Sequence, residues 1–222
     1  MSKNLRTLLI GISAAACATF AASSAFAVPI TVGNASFESL PPGGLPFGCG
    51  PACSYSVDVI PGWSTVNLSQ TGQFQPGTAG YFNSVPNGIT VAYTNGGTIS
   101  QTVGPTVALG VVYTLQVEQG VRNDIGDPGV IDLLINGTPW FATGVAATPG
   151  NWSTYTATYI GLLADVGKAI TIELSSAAGQ GDWDNVSLSD NTATGVPEPL
   201  TLALFGAGLA GMAGMRRRKK AA

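Results

Sequence analysis

Apolar and polar residues alternate with a period of two through most of the middle of the chain. Runs of this kind occupy Ile89 to Tyr93, Thr98 to Val103, Val111 to Glu118, Val130 to Ile135, Trp140 to Thr143, Ser153 to Ile160, Ala169 to Leu174 and Trp183 to Leu188. Gly, Pro and Asn lie between them. Successive side chains of a strand point to opposite faces, so these runs predict strands with one buried face. In the third run Val111, Tyr113, Leu115 and Val117 share one side and Thr114, Gln116 and Glu118 the other. In the seventh, Ile170, Ile172 and Leu174 oppose Thr171 and Glu173. No stretch offers the apolar stripe of an amphipathic helix. Asn95-Gly96 and Asn136-Gly137 fall between apolar runs, where a type I′ turn closes a hairpin. Eight or more strands at this spacing predict an all-β, two-sheet sandwich with one wet face on each sheet.

Both ends of the chain break this pattern. Lys3 and Arg6 precede an apolar stretch from Leu8 to about Phe20, and Ala25-Phe26-Ala27 supplies the small-x-small site of a signal peptidase, which predicts a leader over residues 1–27 and a mature start at Val28. At the other end, Asp190 to Gly195 reads as a polar linker, so the sandwich is assigned to residues 28–190 and the linker to 191–195. Residues 196–222 then hold Val196-Pro197-Glu198-Pro199, an apolar run from Leu200 to Met215 and the cations Arg216 to Lys220. Sixteen residues at about 1.5 Å each give roughly 24 Å of helix, enough to span a bilayer with local thinning. Five cations after it favour the cytoplasmic side and place everything before it across the membrane.

The order of these three C-terminal parts closely resembles the PEP-CTERM sorting signal of Gram-negative bacteria. That resemblance implies cleavage near the motif by an exosortase-type membrane transpeptidase, and a protein exported through the inner membrane, transiently anchored, then left at the cell surface or outside. An ordinary C-terminal anchor is the alternative.

Without leader and tail the charge changes. Only Arg122 and Lys168 remain against eleven acids, a net charge of −9 where the whole chain carries −3. Such a domain has no electrostatic means of holding nucleic acid or an anionic membrane surface, but suits divalent cations. Histidine is absent, which excludes Ser–His and Cys–His catalysis and the common His-bearing metal sites. Cys17 belongs to the leader. Cys49 and Cys53 in an oxidising compartment are expected to close a small disulfide loop.

A second resemblance runs through most of residues 28–190. Gly33-Asn34-Ala35-Ser36-Phe37-Glu38, Pro61-Gly62-Trp63, Val91-Ala92-Tyr93, Ile99-Ser100-Gln101-Thr102-Val103 and Asp182-Trp183-Asp184-Asn185-Val186-Ser187-Leu188 look, in that order, like galactose-binding-like jelly-roll modules. Carbohydrate-binding modules and many PEP-CTERM cargo proteins share the pattern. The resemblance implies a calcium ion tying first and last strands through Asp184 and Glu38, with carbonyl oxygens completing the shell. Alternation agrees for Asp184, placing it beside Val186 and Leu188 and so toward a core where a carboxylate needs a cation. It places Glu38 opposite Phe37. The alternative for Asp184 is a solvated turn cap. Asn123 to Pro128 reads as a solvated turn rather than a second calcium loop, with Arg122 pairing Asp124 or forking onto another carboxylate.

Sugar binding needs rings to stack on a pyranose face and amides or carboxylates for the hydroxyls. Trp63, Tyr93, Trp183 and Asn185 are the candidates, with Trp183 and Asn185 alternating away from Asp184. Three functions compete. The first is an exported surface or matrix protein whose acidic sandwich binds glycans such as extracellular polysaccharide, with structural calcium. The second is a purely structural or adhesive protein with Trp63, Trp140 and Trp183 all buried. The third resembles the calcium-dependent jelly-roll cyclases of indole alkaloid biosynthesis, with Tyr93 and Asp182 or Asp184 beneath an aromatic pocket protonating an isonitrile-bearing terpenoid. Glycoside hydrolysis is disfavoured on the expectation that Asp182 and Asp184 point apart.

Overall fold

A computed structural model describes residues 27–77, 80–125, 129–177 and 179–192. Residues 1–26 of the leader, the motif Val196 to Pro199, the apolar run and the basic tail lie outside the described residues, as does Asp127 of the acidic turn. No helix among the described residues is long and apolar enough to cross a membrane.

Among the described residues thirteen strands form in chain order: β1 (Val28–Ile30), β2 (Phe47–Gly50), β3 (Cys53–Tyr55), β4 (Ser64–Val66), β5 (Thr71–Gln75), β6 (Val91–Thr94), β7 (Thr98–Thr106), β8 (Val112–Gly120), β9 (Val130–Ile135), β10 (Thr138–Phe141), β11 (Trp152–Ile160), β12 (Ala169–Ser175) and β13 (Gly181–Asp190). They make the two antiparallel sheets of a jelly-roll sandwich. One runs β11-β8-β13-β6-β5-β3-β2, with β1 added beside the end of β13; the other runs β10-β9-β12-β7-β4. The expected two-sheet architecture is present.

The strands with the cleanest alternation fold as their patterns dictate. Tyr113, Leu115 and Val117 of β8 face Ile170, Ile172 and Leu174 of β12 in one inter-sheet core, joined by Ile131, Leu133 and Ile135 of β9. Burying a large aliphatic side chain contributes about 1.5–3 kcal/mol, so this layer dominates the stability.

Asn136-Gly137 closes the β9–β10 hairpin, with φ of 50° and 83° as a type I′ turn requires. Asn95-Gly96 does not close a hairpin. β6 belongs to the first sheet and β7 to the second, so this turn carries the chain between layers.

The expected wet outer face is also absent over part of the first sheet. The segment between β5 and β6 folds back over it, and a second apolar cluster forms beneath from Cys53, Phe74, Phe82, Val91 and Tyr93, with Tyr55, Tyr81, Val85 and Trp152 packed against it. Phe82 lies 4.6 Å from the Trp152 ring, and the Trp152 indole N–H donates to the Ser84 carbonyl at 2.8 Å.

Candidate functional site

The last strand positions the site, and a bulge decides which side chains reach it. Asp184 pairs with Glu118 and Ser187 with Gln116, so Asn185 and Val186 together oppose Val117. Asn185 takes a left-handed φ of 49°, as the first residue of such a bulge does. The extra residue reverses the faces. Val186 and Leu188 point into the inter-sheet core, whereas Asp184 points outward with Asp182, contrary to the simple alternation. Trp183, expected to be exposed, is wholly buried in the inter-sheet core. Asp182 and Asp184, two residues apart on one strand, share the outer face rather than pointing apart.

That outer face holds a cavity of about 220 Å³ lined by Tyr55, Phe74, Tyr81, Tyr93, Cys49, Asn95, Arg122 and Gln180. Tyr93 opposes Asp182 directly in the β6–β13 ladder. Its ring packs edge-on against Phe74 at 5.9 Å and Tyr55 at 6.4 Å. Its hydroxyl donates to the Ser56 carbonyl at 2.8 Å, and burial, then Tyr55 and Asp182, push its pKa well up.

The Cys49–Cys53 disulfide is formed, with Cα atoms 5.0 Å apart, and closes the tip of the β2–β3 hairpin. The Tyr81 hydroxyl donates to the Cys49 carbonyl at 2.8 Å, which fixes that ring against the disulfide loop.

Arg122 closes the opposite wall. Its guanidinium lies 4.0 Å above the Tyr81 ring and forks onto both oxygens of Asp124 at 2.9 and 2.7 Å. A third bond, to Gln180 Oε1, measures 2.7 Å. Gln180 passes the contact inward, donating to Asp182 Oδ1 at 2.9 Å. The Arg122 pairing holds Asp124 below its ordinary range.

Asp182 is fully buried, and its Oδ2 has no hydrogen-bond partner. Burial pushes its pKa up to about 7, against the opposing pull of Gln180 and Arg122. The result is a carboxyl that titrates near neutrality beneath an aromatic cavity.

The two residues assigned to calcium hold the covering segment instead of facing the cavity. Asp184 Oδ2 accepts the Asn87 N–H at 2.8 Å and Oδ1 the Asn185 N–H at 2.6 Å. Burial raises the pKa of Asp184 to about 7, with Glu38 and Glu118 adding to the rise. Glu38 Oε1 accepts the Ile89 and Thr90 N–H groups at 3.0 and 2.8 Å. Gly88, at φ 68°, leaves room for that carboxylate, since a Cβ there would lie 2.3 Å from Oε1. Among the described residues no three acidic, Cys or His side chains converge.

Of the candidate ligand contacts, Tyr93 alone lines the cavity. Trp63 is buried in the inter-sheet core, 5.4 Å from Phe37, with its indole N–H on the Asn34 carbonyl. Trp183 lies in the same core, and Asn185 is exposed on the bulge. Trp140 is 41% exposed on β10, so the three tryptophans are not all buried as a purely structural protein required. Tyr55, Phe74, Tyr81 and Gln180 were not singled out by the sequence, and Asn95 only as a turn residue. The signal available for them was Phe74, Tyr81 and Phe82 in a stretch otherwise poor in large apolar residues.

Comparison with known proteins bears on both parts of the chain. Residues 195–219 match the PEP-CTERM protein-sorting motif, which marks the chain for export and sorting to the bacterial cell surface. Among solved structures, a CBM4 module is 18% identical, covering 72% of this chain and 99% of its own, with a TM-score of 0.40. The CBM22-1 xylan-binding domain of Paenibacillus barcinonensis Xyn10C is 13% identical over 78% of this chain and 100% of its own, with a TM-score of 0.38. No curated protein matches the chain. Residues 28–189, from the first strand to the penultimate residue of the last, match the HpiC1 cyclase model, and the chain therefore belongs to the HpiC1-like family.

Proposed function

We propose that the exported domain is a surface binding module that takes a single sugar ring, such as the end of an extracellular polysaccharide, into the cavity on the outer face of the first sheet. The observation that carries this reading is the cavity wall: three tyrosines and a phenylalanine, with Asn95, Arg122 and Gln180 among them. Rings supply stacking faces, and amide and guanidinium groups supply donors for hydroxyls. Drug-sized ligands occupy about 300–1,000 Å³. A cavity of about 220 Å³ suits one ring better than a chain.

Calorimetric titration of the full exported protein with a panel of free monosaccharides tests the reading. At least one sugar is expected to saturate at one per chain, and Tyr81→Ala, which removes a stacking ring, is expected to weaken it about tenfold, equivalent to about 1.4 kcal/mol. Absence of binding across the panel overturns it.

Removal of the leader by signal peptidase, processing by an exosortase in a Gram-negative envelope and a matrix destination belong to the same proposal. So does structural calcium. Glu38 and Asp184 are close enough for their charges to interact, and each carboxylate retains lone pairs beyond its present donors. Carbonyl oxygens would have to complete a shell there. Chelation is then expected to destabilise wild type by about 2.7 kcal/mol if the ion was present at 100 times its dissociation constant, read as a lower melting temperature, and to leave Asp184→Ala unmoved. An unmoved wild type removes calcium from the proposal.

One observation favours a second reading, a proton-donating cyclase: the buried Asp182 carboxyl beneath the aromatic cavity of a chain in this family. Conversion of an isonitrile-bearing terpenoid by wild type and not by Asp182→Asn would establish it in place of sugar binding.

A further inference from the structure

Five of the exposed large apolar side chains collect at one end of the sandwich. Leu109 is 63% exposed, Ile160 56%, Leu162 54%, Leu163 77% and Val166 51%. Four belong to two loops, before β8 and after β11, that are stitched to each other, and Ile160 ends β11. The Gly110 N–H donates to the Gly161 carbonyl at 2.8 Å, the Gly161 N–H to Val111 at 2.8 Å and the Gly167 N–H to Val107 at 2.8 Å. Trp140 flanks them. Its ring lies 4.9 Å from Tyr159, whose hydroxyl binds Asp165 in the second loop.

Both ends of the domain leave at this same place. Val28 pairs with Asp190, and Asn191 is held to Val112 by two bonds, its N–H to the Val112 carbonyl at 3.1 Å and its Oδ1 to the Val112 N–H at 2.7 Å. Only seven residues, 193–199, then separate the described chain from the apolar run at Leu200. Fully extended, they reach about 25 Å.

We propose that this end of the sandwich docks on the surface of a lipid bilayer while the sorting segment is inserted, with Leu162 and Leu163 entering the headgroup region. The proposal rests on the reading that residues 200–215 span the membrane. A tether that short keeps the apolar end beside the bilayer, so its burial there needs no further search in space. Charge is compatible with a zwitterionic surface: Asp165 is paired with Lys168 at 2.8 Å, and Asp190 stands where the chain leaves. A Trp on the flank suits the interfacial zone. Docking also orients the ligand site. β13 runs about 30 Å at 3.3 Å per residue, with Asp190 at the docked end and Asp182 and Gln180 at the other, so the cavity is presented away from the membrane.

The test uses the leader-processed full chain in phosphatidylcholine vesicles carrying a spin-labelled lipid quencher, with a fluorophore on Leu163→Cys or, at the far end of the second sheet, on Val130→Cys. Both sites are exposed, so neither substitution removes core packing. Insertion by ~5–10 Å is expected to make quenching at 163 at least about twofold stronger than at 130. Equal quenching in a chain that floats with the vesicles overturns docking and leaves the span intact. A chain that does not float overturns the span reading and docking with it. A label at 163 that is shielded but unquenched, in a chain that cross-links as a dimer, assigns the face to a second copy and also overturns the proposal.

Discussion

Trp183→Ala is expected to be the most destabilising single substitution in the domain, at about 3–5 kcal/mol by urea denaturation, because it empties a wholly buried indole from the inter-sheet core. The indole N–H has no partner there, so loss of that buried polar group offsets a fraction of the cost. Two glycines edge the ring. A Cβ on Gly129 would lie 2.0 Å from Trp183 Cζ2, and one on Gly181 would lie 2.5 Å from Cη2. Gly181→Ala alone is therefore expected to cost about 1–3 kcal/mol by overpacking, and less in the Trp183→Ala background, where the nearest remaining atom to its methyl is the Gly129 Cα at 3.0 Å. If the two costs simply add, the ring does not occupy the place described. A loss below about 1 kcal/mol for Trp183→Ala, as an exposed sugar platform would show, would return the residue to the surface.

Trp183 also marks where the sequence stopped being readable. β8 and β12 were legible because each has one face in the inter-sheet core along its whole length, so a period of two survives from end to end. β13 changes register midway, and a one-residue shift moves every later side chain to the other face. An Asn at the change was the only local sign, since Asn tolerates the left-handed region. Asp184 was read from the wrong half of the strand for this reason. The cavity was illegible for a different one. Its walls come from β2, β3, β5, β6 and four loops, and Tyr81 reaches it only because a polar, glycine-bearing segment folds back over the sheet. Alternation reports which face of a strand is dry, not which loop will dry it. Cys49 and Cys53 were legible because four residues of separation and an oxidising compartment leave little else to do.

The pH dependence of stability should be shared chiefly by Asp182 and Asp184, both raised to about 7, and for Asp182 its sign follows from burial. In the unfolded chain the carboxyl titrates near 4; in the folded protein burial raises it to about 7. Between those values the folded state holds a proton that the unfolded state has lost. Stability is therefore fully present below about pH 4 and falls as pH rises toward 7, by about 1.4 kcal/mol per pH unit for this group. Asp184 and Asp132 are raised by burial as well and act in the same direction, but they titrate in any variant at 182 and cancel in a difference. Asp182→Asn is nearly isosteric with the protonated carboxyl and keeps an acceptor for the Gln180 N–H. The two proteins are thus expected to have similar stability near pH 4, and the Asn variant to be the more stable by pH 8, when wild type carries an ionised carboxylate in a site closed to water. Arg122 moderates the penalty without removing it, because its guanidinium is already committed to Asp124 and Gln180. Urea midpoints across pH 4–8 measure the difference. Curves that run parallel would mean that Asp182 is ionised throughout, and a carboxylate charged at neutral pH beneath the aromatic cavity would have to be balanced by a cation or by water in that site.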